Sequence, residues 1–560
     1  VWSAYAVFAG EEALFWELTT LITIMLLGHW FEMRAVSGAQ GALKELSRLL
    51  PDTAEVLRDG GTVMLALTEL KEGDTVLVKP GSRIPADGVV LEGKADVNES
   101  MLTGESKPVS KKVNDDVIAG TVNGEGVLKV KVAKIGENTF LAGVMRLVAE
   151  AQASKSRLQI LSDRAAFYLT NIAVFSAGIT LLTWLLKSDS AFAVERMVAV
   201  LVIACPHALG LAVPLVASIS TTLAARSGFL IRRRLSLESA RNINVVLFDK
   251  TGTLTRGEYG ITDVWPVKAK DEKEILQYAA SVDSYSEHFV AKATVQKAKE
   301  LGVELLKVDD FSRISGKGVK GKINGSRIFC GGLPILDETG ISLPGELKEK
   351  LEKAGEDGKT LNFTIKDGEL LGITAFADLI REESREAIRG LKSMGLKIAM
   401  VTGDSEGVAN WVSKELGIDE YFARVLPAQK SEKVKLLQQN GQKVAMVGDG
   451  INDAPALTQA DLGIAIGAGT NVAVESAGII LVKNDPRDIV KIIKLSRLTY
   501  AKMLQNLFWA TGYNVIALPL AAGAAYSKGI VLEPAVAALF MSLSTIIVAI
   551  NALLLRKKKL

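Results

Sequence analysis

Four stretches of this chain, residues 165–186, 197–225, 503–527 and 534–555, contain no Asp, Glu, Lys or Arg. Each is longer than the ~20 residues a helix needs to cross ~30 Å of hydrocarbon, so each predicts a membrane span. A fifth run, Leu14 to Phe31, carries only Glu17 near one end and predicts another. Residues 1–9 are apolar but too few to cross, and a chain opening on Val1 is expected to be trimmed inside an earlier helix, its natural N-terminus missing. Outside these runs charge is dense, and 66 Lys plus Arg against 63 Asp plus Glu leave a net charge of +3. That near-balance gives no electrostatic case for a nucleic-acid partner, and 48% hydrophobic residues exclude a disordered chain. The two cysteines, Cys205 and Cys330, lie in segments of different character, so no disulfide framework is expected and a reducing compartment suits Cys330.

Threading the spans in alternation puts 33–164, 226–502 and the tail after Leu555 on one side of the membrane, and 10–13, 187–196 and 528–533 on the other. Arg34, Lys155, Arg157, Arg164, Arg226, Arg232, Arg233, Arg234, Arg497, Lys502 and the Arg556 to Lys559 cluster all flank spans on the large-loop side. The positive-inside bias makes that side cytoplasmic, which predicts a multi-pass protein of the cell membrane with its large loops and C-terminus inside.

The first large loop alternates β-branched residues with Gly, Pro and charge, as in Gly126-Val-Leu-Lys-Val-Lys-Val132, and predicts a small β-rich domain on helical stalks. The second opens with the apolar run Ile243 to Phe248, ending at Asp249. Leu396 to Asp404 and Lys443 to Asp449 repeat the theme of a buried strand running into Gly and Asp, with helical patterns at 382–394 and 428–440 between them. Strand alternating with helix predicts a doubly wound parallel sheet, interrupted from about 259 to 374 by an inserted domain rich in Lys and Glu.

Ligands of such sheets sit at the carboxyl ends of the strands, and here three strands end in Asp249, in Thr402-Gly403-Asp404 and in Asp449-Gly-Ile-Asn452-Asp453. Crowded carboxylates repel unless a cation shares the site, and all-oxygen ligands suit Mg²⁺, with Asp449 as the natural second ligand. In Asp249-Lys250-Thr251-Gly252-Thr253 a strand-end carboxylate precedes hydroxyls and a flexible Gly turn able to present N–H groups to phosphate. A carboxylate so placed is a candidate nucleophile on phosphorus, and Lys430, opening a helical pattern, is a candidate point cation for the transferring charge.

Asp249-Lys-Thr-Gly-Thr-Leu-Thr255, Thr402-Gly-Asp404, Gly448-Asp-Gly-Ile-Asn-Asp-Ala-Pro455 and Thr103-Gly-Glu-Ser106 together resemble the signature set of P-type ATPases over essentially the whole chain. The resemblance implies that Asp249 is phosphorylated by ATP within a haloacid-dehalogenase-like domain, with Lys250, Thr253, Gly403, Asn452 and Asp453 supporting the site. It implies Lys430 as the phosphate-binding lysine, Thr402 as a hydroxyl donor, and Asp249, Asp449 and the Thr251 backbone as Mg²⁺ ligands. Glu105, in an actuator domain, would position the water that hydrolyses the aspartyl phosphate. The inserted domain would bind the nucleotide. There Ser286-Glu287-His288-Phe289 resembles the heavy-metal branch's Ser-Glu-His-Pro motif, with Phe289 in place of proline, and Gly316-x-Gly318 resembles its glycine approach to adenine and phosphate. The family Asn expected after Gly331 is here Gly332.

Cys205-Pro206-His207 sits in the middle of the uncharged run 197–225. Proline there frees a backbone carbonyl, and a thiolate with an imidazole flanking the kink suits copper, silver or zinc rather than Na⁺, K⁺ or Ca²⁺; a kinked packing helix with a buried thiol is the bland alternative. With Gly512-Tyr513-Asn514 and Met541-Ser542-Leu-Ser544-Thr545 the motif resembles the heavy-metal P-type ATPases, and among them the CopB-like copper subgroup. The resemblance implies Cys205, His207, Tyr513, Asn514, Met541 and Ser542 as ligands of the transported ion. It implies Glu32 and Asp163 as carboxylates that admit it and Glu17 as a marker of its exit. His207 hardens the site toward Cu²⁺, whereas the Met541 thioether favours Cu⁺, and spacing leaves both open with Ag⁺.

The expected organisation is a multidomain membrane protein: an α-helical transmembrane bundle, a β-rich actuator, a doubly wound α/β phosphorylation domain and an inserted α+β nucleotide-binding domain. Residues 1–32 hold the tail of a truncated helix and one span, 33–150 the actuator, 151–225 two spans with a stalk, 226–258 and 375–495 the phosphorylation domain, 259–374 the nucleotide domain, and 496–560 two spans. The expected activity is ATP-driven copper export by a functional monomer in a lipid membrane, with ATP and Mg²⁺ as cofactors and a copper chaperone as a candidate partner. A zinc or other soft-metal pump of the same mechanism, a membrane-tethered phosphatase, and a non-enzymatic copper sensor or channel are the alternatives.

Overall fold

A computed structural model describes residues 2–9, 15–39, 50–58, 61–99, 108–343, 345–449, 452–467, 475–558 and 560. The chain divides into two compact units, Val1–Asn242 with Gly478–Lys483 and Lys491–Leu560, and Ile243–Ala477 with Asn484–Val490.

The first unit contains a helical bundle and a β-rich domain. The bundle comprises α1 (Phe15–Ala39), α2 (Arg157–Leu185), α3 (Ser190–Ile203), α4 (His207–Arg226), α5 (Arg487–Thr511), α6 (Asn514–Ala521) and α7 (Pro534–Leu553). Three helical stretches among the described residues are long and apolar enough to cross a membrane: Phe140–Leu185, Ser190–Arg226 and Pro534–Lys557. Leu18–Trp30 forms a shorter apolar helix. The run 503–527 is not one helix, because α5 stops at Thr511 and the chain restarts at Asn514 after a Gly-Tyr turn. The run 197–225 is broken too: Ala204 to Pro206 separate α3 from α4, where Pro206 has no N–H to continue the ladder. Leu211, Leu215 and Val216 of α4 pack with Met503 and Ala552, while Phe167, Phe175 and Leu182 of α2 stay exposed. An apolar exterior around an apolar interior is what lipid, not water, permits.

The β-rich domain is a six-stranded antiparallel sheet in the spatial order 61–66, 53–58, 75–78, 128–134, 87–92, 116–117, beside a smaller three-stranded sheet. Along Leu128–Lys134 the buried Leu128, Val130 and Val132 alternate with Lys129 and Lys131, so one face is core and the other solvated.

In the second unit β1 (Val245–Asp249) is central and buried along its whole length. An antiparallel sheet follows: β2 (Thr255–Pro266), β3 (Asp309–Ile314), β4 (Gly318–Ile323), β5 (Ser326–Gly331), β6 (Thr360–Lys366) and β7 (Glu369–Ile380), in the order β2-β7-β6-β5-β4-β3. Then β8 (Lys397–Val401), β9 (Glu420–Phe422), β10 (Val444–Gly448) and β11 (Leu462–Ile466) run parallel to β1 in the order β11-β10-β1-β8-β9. Where the sequence suggests an insertion from about 259 to 374, the paired strands β2 and β7 extend it: Thr255 faces Ile380 and Pro266 faces Gly372. A single antiparallel ribbon carries the chain out of the parallel sheet and back.

Candidate active site

Because β8, β1 and β10 are adjacent and parallel, their carboxyl ends bring Thr402, Asp249 and Asp449 to one edge. Asp249 is 7% exposed, and its Oδ1 accepts a hydrogen bond from Lys430 Nζ at 2.7 Å. Lys430 opens the helix Lys430–Gln439 and also donates to Oδ1 of the fully buried Asp453 carboxylate, at 2.7 Å. Burial, and then the charges of Asp453 and Asp449, outweigh Lys430 and push the Asp249 carboxyl up to about 7. Burial opposes the charged form of Lys430, yet Asp249 and Asp453 together hold its ammonium above the ordinary lysine range. Three carboxylates around a single ammonium are short of positive charge, and Asp449 is exposed at the mouth. That donor set fits a hard divalent cation bound by Asp249, Asp449 and the backbone at Thr251. Asn452 is exposed beside it.

The turn after Asp249 is clamped from β7, by residues the sequence reading passed over. Asp378 accepts from Thr255 Oγ1 at 2.6 Å and from the Gly257 N–H at 3.0 Å, and pairs with Lys250 at 3.1 Å. Arg381 Nε donates to the Thr255 carbonyl at 2.9 Å. Lys250 also pairs with Asp404 at 2.5 Å, so it serves the scaffold of the turn rather than pointing at Asp249's partner Lys430. The one clue to Asp378 in the sequence is an acid near the end of a largely apolar strand. Gly252 takes φ +75°, which its lack of a Cβ permits, and turns the chain back beside Asp449. Thr253 is fully buried, its hydroxyl without a partner among the described residues. Thr402 Oγ1 donates to Asp404 Oδ2 at 3.0 Å and accepts from the Asp404 N–H at 3.1 Å, leaving Gly403 exposed at the tip.

The antiparallel sheet carries a cleft of about 690 Å³ lined by Glu287, His288, Gly316 and Gly318, with Asp283, Cys330 and Asn362 at its walls. His288 caps the helix Phe289–Glu300 through Nδ1, which accepts from the Val290 N–H at 3.4 Å. Phe289 is the first residue of that helix, a position where proline is tolerated but not required, so its substitution leaves the helix start intact. A Cβ on Gly318 would sit 2.1 Å from the Cys330 carbonyl oxygen, so this glycine is demanded by the closeness of β4 and β5. Glu287 is exposed and pairs with Lys292 at 2.6 Å. Asp283, missed in the sequence, is 4% exposed with Oδ2 unpartnered among the described residues. Burial pushes it up to about 7, eased by Thr294, while burial and then Asp283 push the Cys330 thiol well above its usual range.

In the bundle, Cys205 is half-buried at the break between α3 and α4, within electrostatic reach of Tyr513. The Tyr513 hydroxyl donates to the Ile203 carbonyl at 3.3 Å. Asn514 is 5% exposed and both of its amide atoms lack hydrogen-bond partners among the described residues, an expensive state that a ligand would relieve. Met541 is buried, and Ser542 Oγ donates to the Ile24 carbonyl at 3.4 Å. A second polar chain was not anticipated: Lys502 Nζ donates to Asn551, Asn551 to Asn506, and Asn506 to the Ala212 carbonyl of α4, at 2.6, 2.8 and 3.0 Å. Asp163, a candidate for admitting the ion, is exposed and pairs with Lys155 at 2.8 Å. The side chains of Glu17, Glu32 and His207 lie outside the described residues, as does all of Glu105.

Family models match in the same places. Residues 48–149 match the P-type ATPase actuator domain, and 243–461 and 430–493 match haloacid dehalogenase-like hydrolases. The chain is 56% identical over 543 residues to copper-exporting P-type ATPase B of Archaeoglobus fulgidus, covering 97% of this chain and 78% of that one. It is 41% identical to copper-exporting P-type ATPase B of Enterococcus hirae, covering 97% of this chain and 73% of that one. A crystal structure of a zinc-transporting PIB-type ATPase in its E2.Pi state superposes with TM-score 0.60 at 31% identity, covering 96% of this chain and 87% of that one.

Proposed function

We infer that this chain, which belongs to the heavy-metal P-type ATPases, exports copper through an aspartyl-phosphate intermediate formed from ATP. The observation that carries the reading is the meeting of Asp249, Lys430, Asp453 and Asp449 at adjacent strand ends, in a chain whose broken apolar helix sets Cys205 near Tyr513. In the forward step a carboxylate oxygen of Asp249 bonds to the γ-phosphorus as the bond to ADP breaks, and Lys430 neutralises the charge gathering on the phosphoryl oxygens. Asp249, Asp449 and the Thr251 backbone would hold Mg²⁺, which would supply positive charge that favours the ionised Asp249 carboxylate and polarises the phosphoryl group. The turn at Gly252, clamped by Asp378 and Arg381, holds the nucleophile in line. Reset is hydrolysis of the aspartyl phosphate by a water that Glu105 positions and deprotonates. Nucleotide approaches from the cleft bearing His288, Gly316 and Gly318.

Cys205, His207, Tyr513, Asn514, Met541 and Ser542 form the ion site, where a thiolate and a thioether select a soft metal and the empty-handed Asn514 amide supplies a neutral donor. Glu32 and Asp163 admit the ion from the cytoplasm, where the large loops and C-terminus lie, and a copper chaperone delivers it to a functional monomer in the cell membrane. Domain limits follow the stretches expected from the sequence, with the nucleotide domain widened to the full β2–β7 ribbon. Zinc is the second reading, favoured by the likeness to a zinc-transporting ATPase. ATPase activity of the purified protein against Cu²⁺, Cu⁺, Ag⁺ and Zn²⁺, each with and without reductant, decides. Stimulation by copper or silver alone is expected; stimulation by zinc alone overturns the copper assignment, and metal-independent turnover overturns export.

A further inference from the structure

Lys359, which takes no part in the chemistry at Asp249, stands where the chain enters the nucleotide cleft. The helix Gly345–Glu356 before it ends on a glycine cap: Gly358 takes φ +66°, and the Lys359 N–H closes back on the Ala354 carbonyl at 2.8 Å. The chain then runs straight into β6, whose first residues, Thr360, Leu361 and Asn362, line the cleft. At this turn the insertion meets the helix Glu406–Leu416, which follows directly on Thr402-Gly403-Asp404 and is capped by Ser405.

The approach is too close for side chains. A Cβ on Gly407 would stand 1.7 Å from the Glu356 carbonyl oxygen, and one on Gly358 would stand 2.3 Å from Val408 Cγ2. Lys359 lies beside this contact with its side chain 10% exposed. Its ammonium donates to Asp263 Oδ2 of β2 at 2.6 Å and lies 5.2 Å from the centre of the Trp411 ring. Three elements therefore meet on one ammonium: the ribbon that carries the insertion out, the strand that walls the cleft, and the helix that follows Thr402. A sequestered Lys–Asp pair is weak evidence for stability, because an apolar pair of similar volume fills such a site as well. What the lysine adds is direction, since an ion pair on one side and a cation–π contact on the other fix where the strand leaves its helix. Just before the helix Glu406–Leu416, Asp404 pairs with Lys250 at 2.5 Å, and Lys250 is the chain neighbour of Asp249. The joint thus has the cleft wall on one side and the turn of the nucleophile on the other.

We propose that Lys359 is a positioning residue for phosphoryl transfer from nucleotide: held between Asp263 and Trp411 over the Gly358–Gly407 contact, it aligns ATP in the cleft with Asp249. This deepens the aspartyl-phosphate reading and rests on it. A donor with no base or ribose to occupy the cleft does not need that alignment. Inorganic phosphate is such a donor: by reversal of the hydrolysis step, a carboxylate oxygen of Asp249 bonds to its phosphorus and water leaves.

The test uses the full chain as wild type, K359M, K359R and G407A. Acid-stable labelling is followed by rapid quench from γ-radiolabelled ATP with Cu⁺ and from radiolabelled inorganic phosphate without metal, and the affinity for a non-hydrolysable ATP analogue is measured by calorimetry. At saturating ATP, labelling of K359M and G407A should slow by roughly ten- to a hundredfold, with labelling from inorganic phosphate and affinity for the analogue unchanged. K359R keeps the charge and the ring contact and should label like wild type. Undiminished labelling from ATP in both K359M and G407A overturns the joint, as does K359R falling as far as K359M. An equal loss from inorganic phosphate, or a loss confined to nucleotide affinity, overturns it too, because the first marks damage to the phosphorylation domain and the second a binding contact. A wild type that ATP does not label overturns the aspartyl-phosphate reading, and the joint with it.

Discussion

Replacing Asp283 with asparagine should stabilise the nucleotide domain at neutral and alkaline pH and leave it unchanged in acid. Asp283 is 4% exposed, burial lifts its carboxyl from 3.8 to about 7, and Thr294 returns only part of the cost. A folded value above the unfolded one means that the native state holds a proton the unfolded chain has released, so stability falls as pH rises between the two values. The contribution is fully present below about pH 4 and gone above about pH 7, a span of ~3 pKa units at ~1.4 kcal/mol each, hence ~4 kcal/mol as an upper bound. Asparagine has nearly the same shape and never ionises. The difference between variant and wild type should therefore climb by ~1.4 kcal/mol per pH unit through this window and then flatten, other titrating groups cancelling. Amide hydrogen exchange of the helix Glu272–Asp283 and of β5, in the full chain, reads the local opening free energy. Parallel pH profiles for the two proteins would refute the reasoning, because they would mean that Asp283 ionises in the ordinary range despite its burial.

Lys430→Ala strands the buried carboxylates of Asp249 and Asp453, so it should abolish phosphorylation from ATP and cost the domain ~3–5 kcal/mol in exchange-derived stability at neutral pH. Gly252→Ala forces a φ of +75° on a residue with a Cβ that meets nothing closer than 3.9 Å, so the penalty is backbone strain of ~1–2 kcal/mol and slowed phosphoenzyme formation in rapid-quench assays. Gly318→Ala drives a Cβ against the Cys330 carbonyl and should weaken ATP binding by calorimetry with little effect on phosphorylation from inorganic phosphate. Asn514→Ala removes two unsatisfied buried amide atoms, so the bundle should gain stability in thermal unfolding while metal stimulation of the ATPase is lost.

The parallel sheet and its three acidic strand ends were legible because buried strands ending in Gly and Asp follow a short local grammar. Asp378 and Arg381 were not, since their roles depend on a strand that returns over a hundred residues after the nucleophile, and nothing local marks that return. The break at Cys205-Pro206 could be read from proline's missing N–H, but the second break at Gly512–Tyr513 could not: an uncharged run reports its affinity for lipid, not its continuity as a helix.

The central claim joins a phosphorylated aspartate to a thiol in the bundle, and acid-stable labelling from γ-radiolabelled ATP, with and without Cu⁺, tests both ends in one gel. The account predicts a band in the wild type that depends on the metal, no band for Asp249→Asn, and no metal dependence for Cys205→Ala. A normal band from Asp249→Asn, or a fully metal-dependent band from Cys205→Ala, would contradict it.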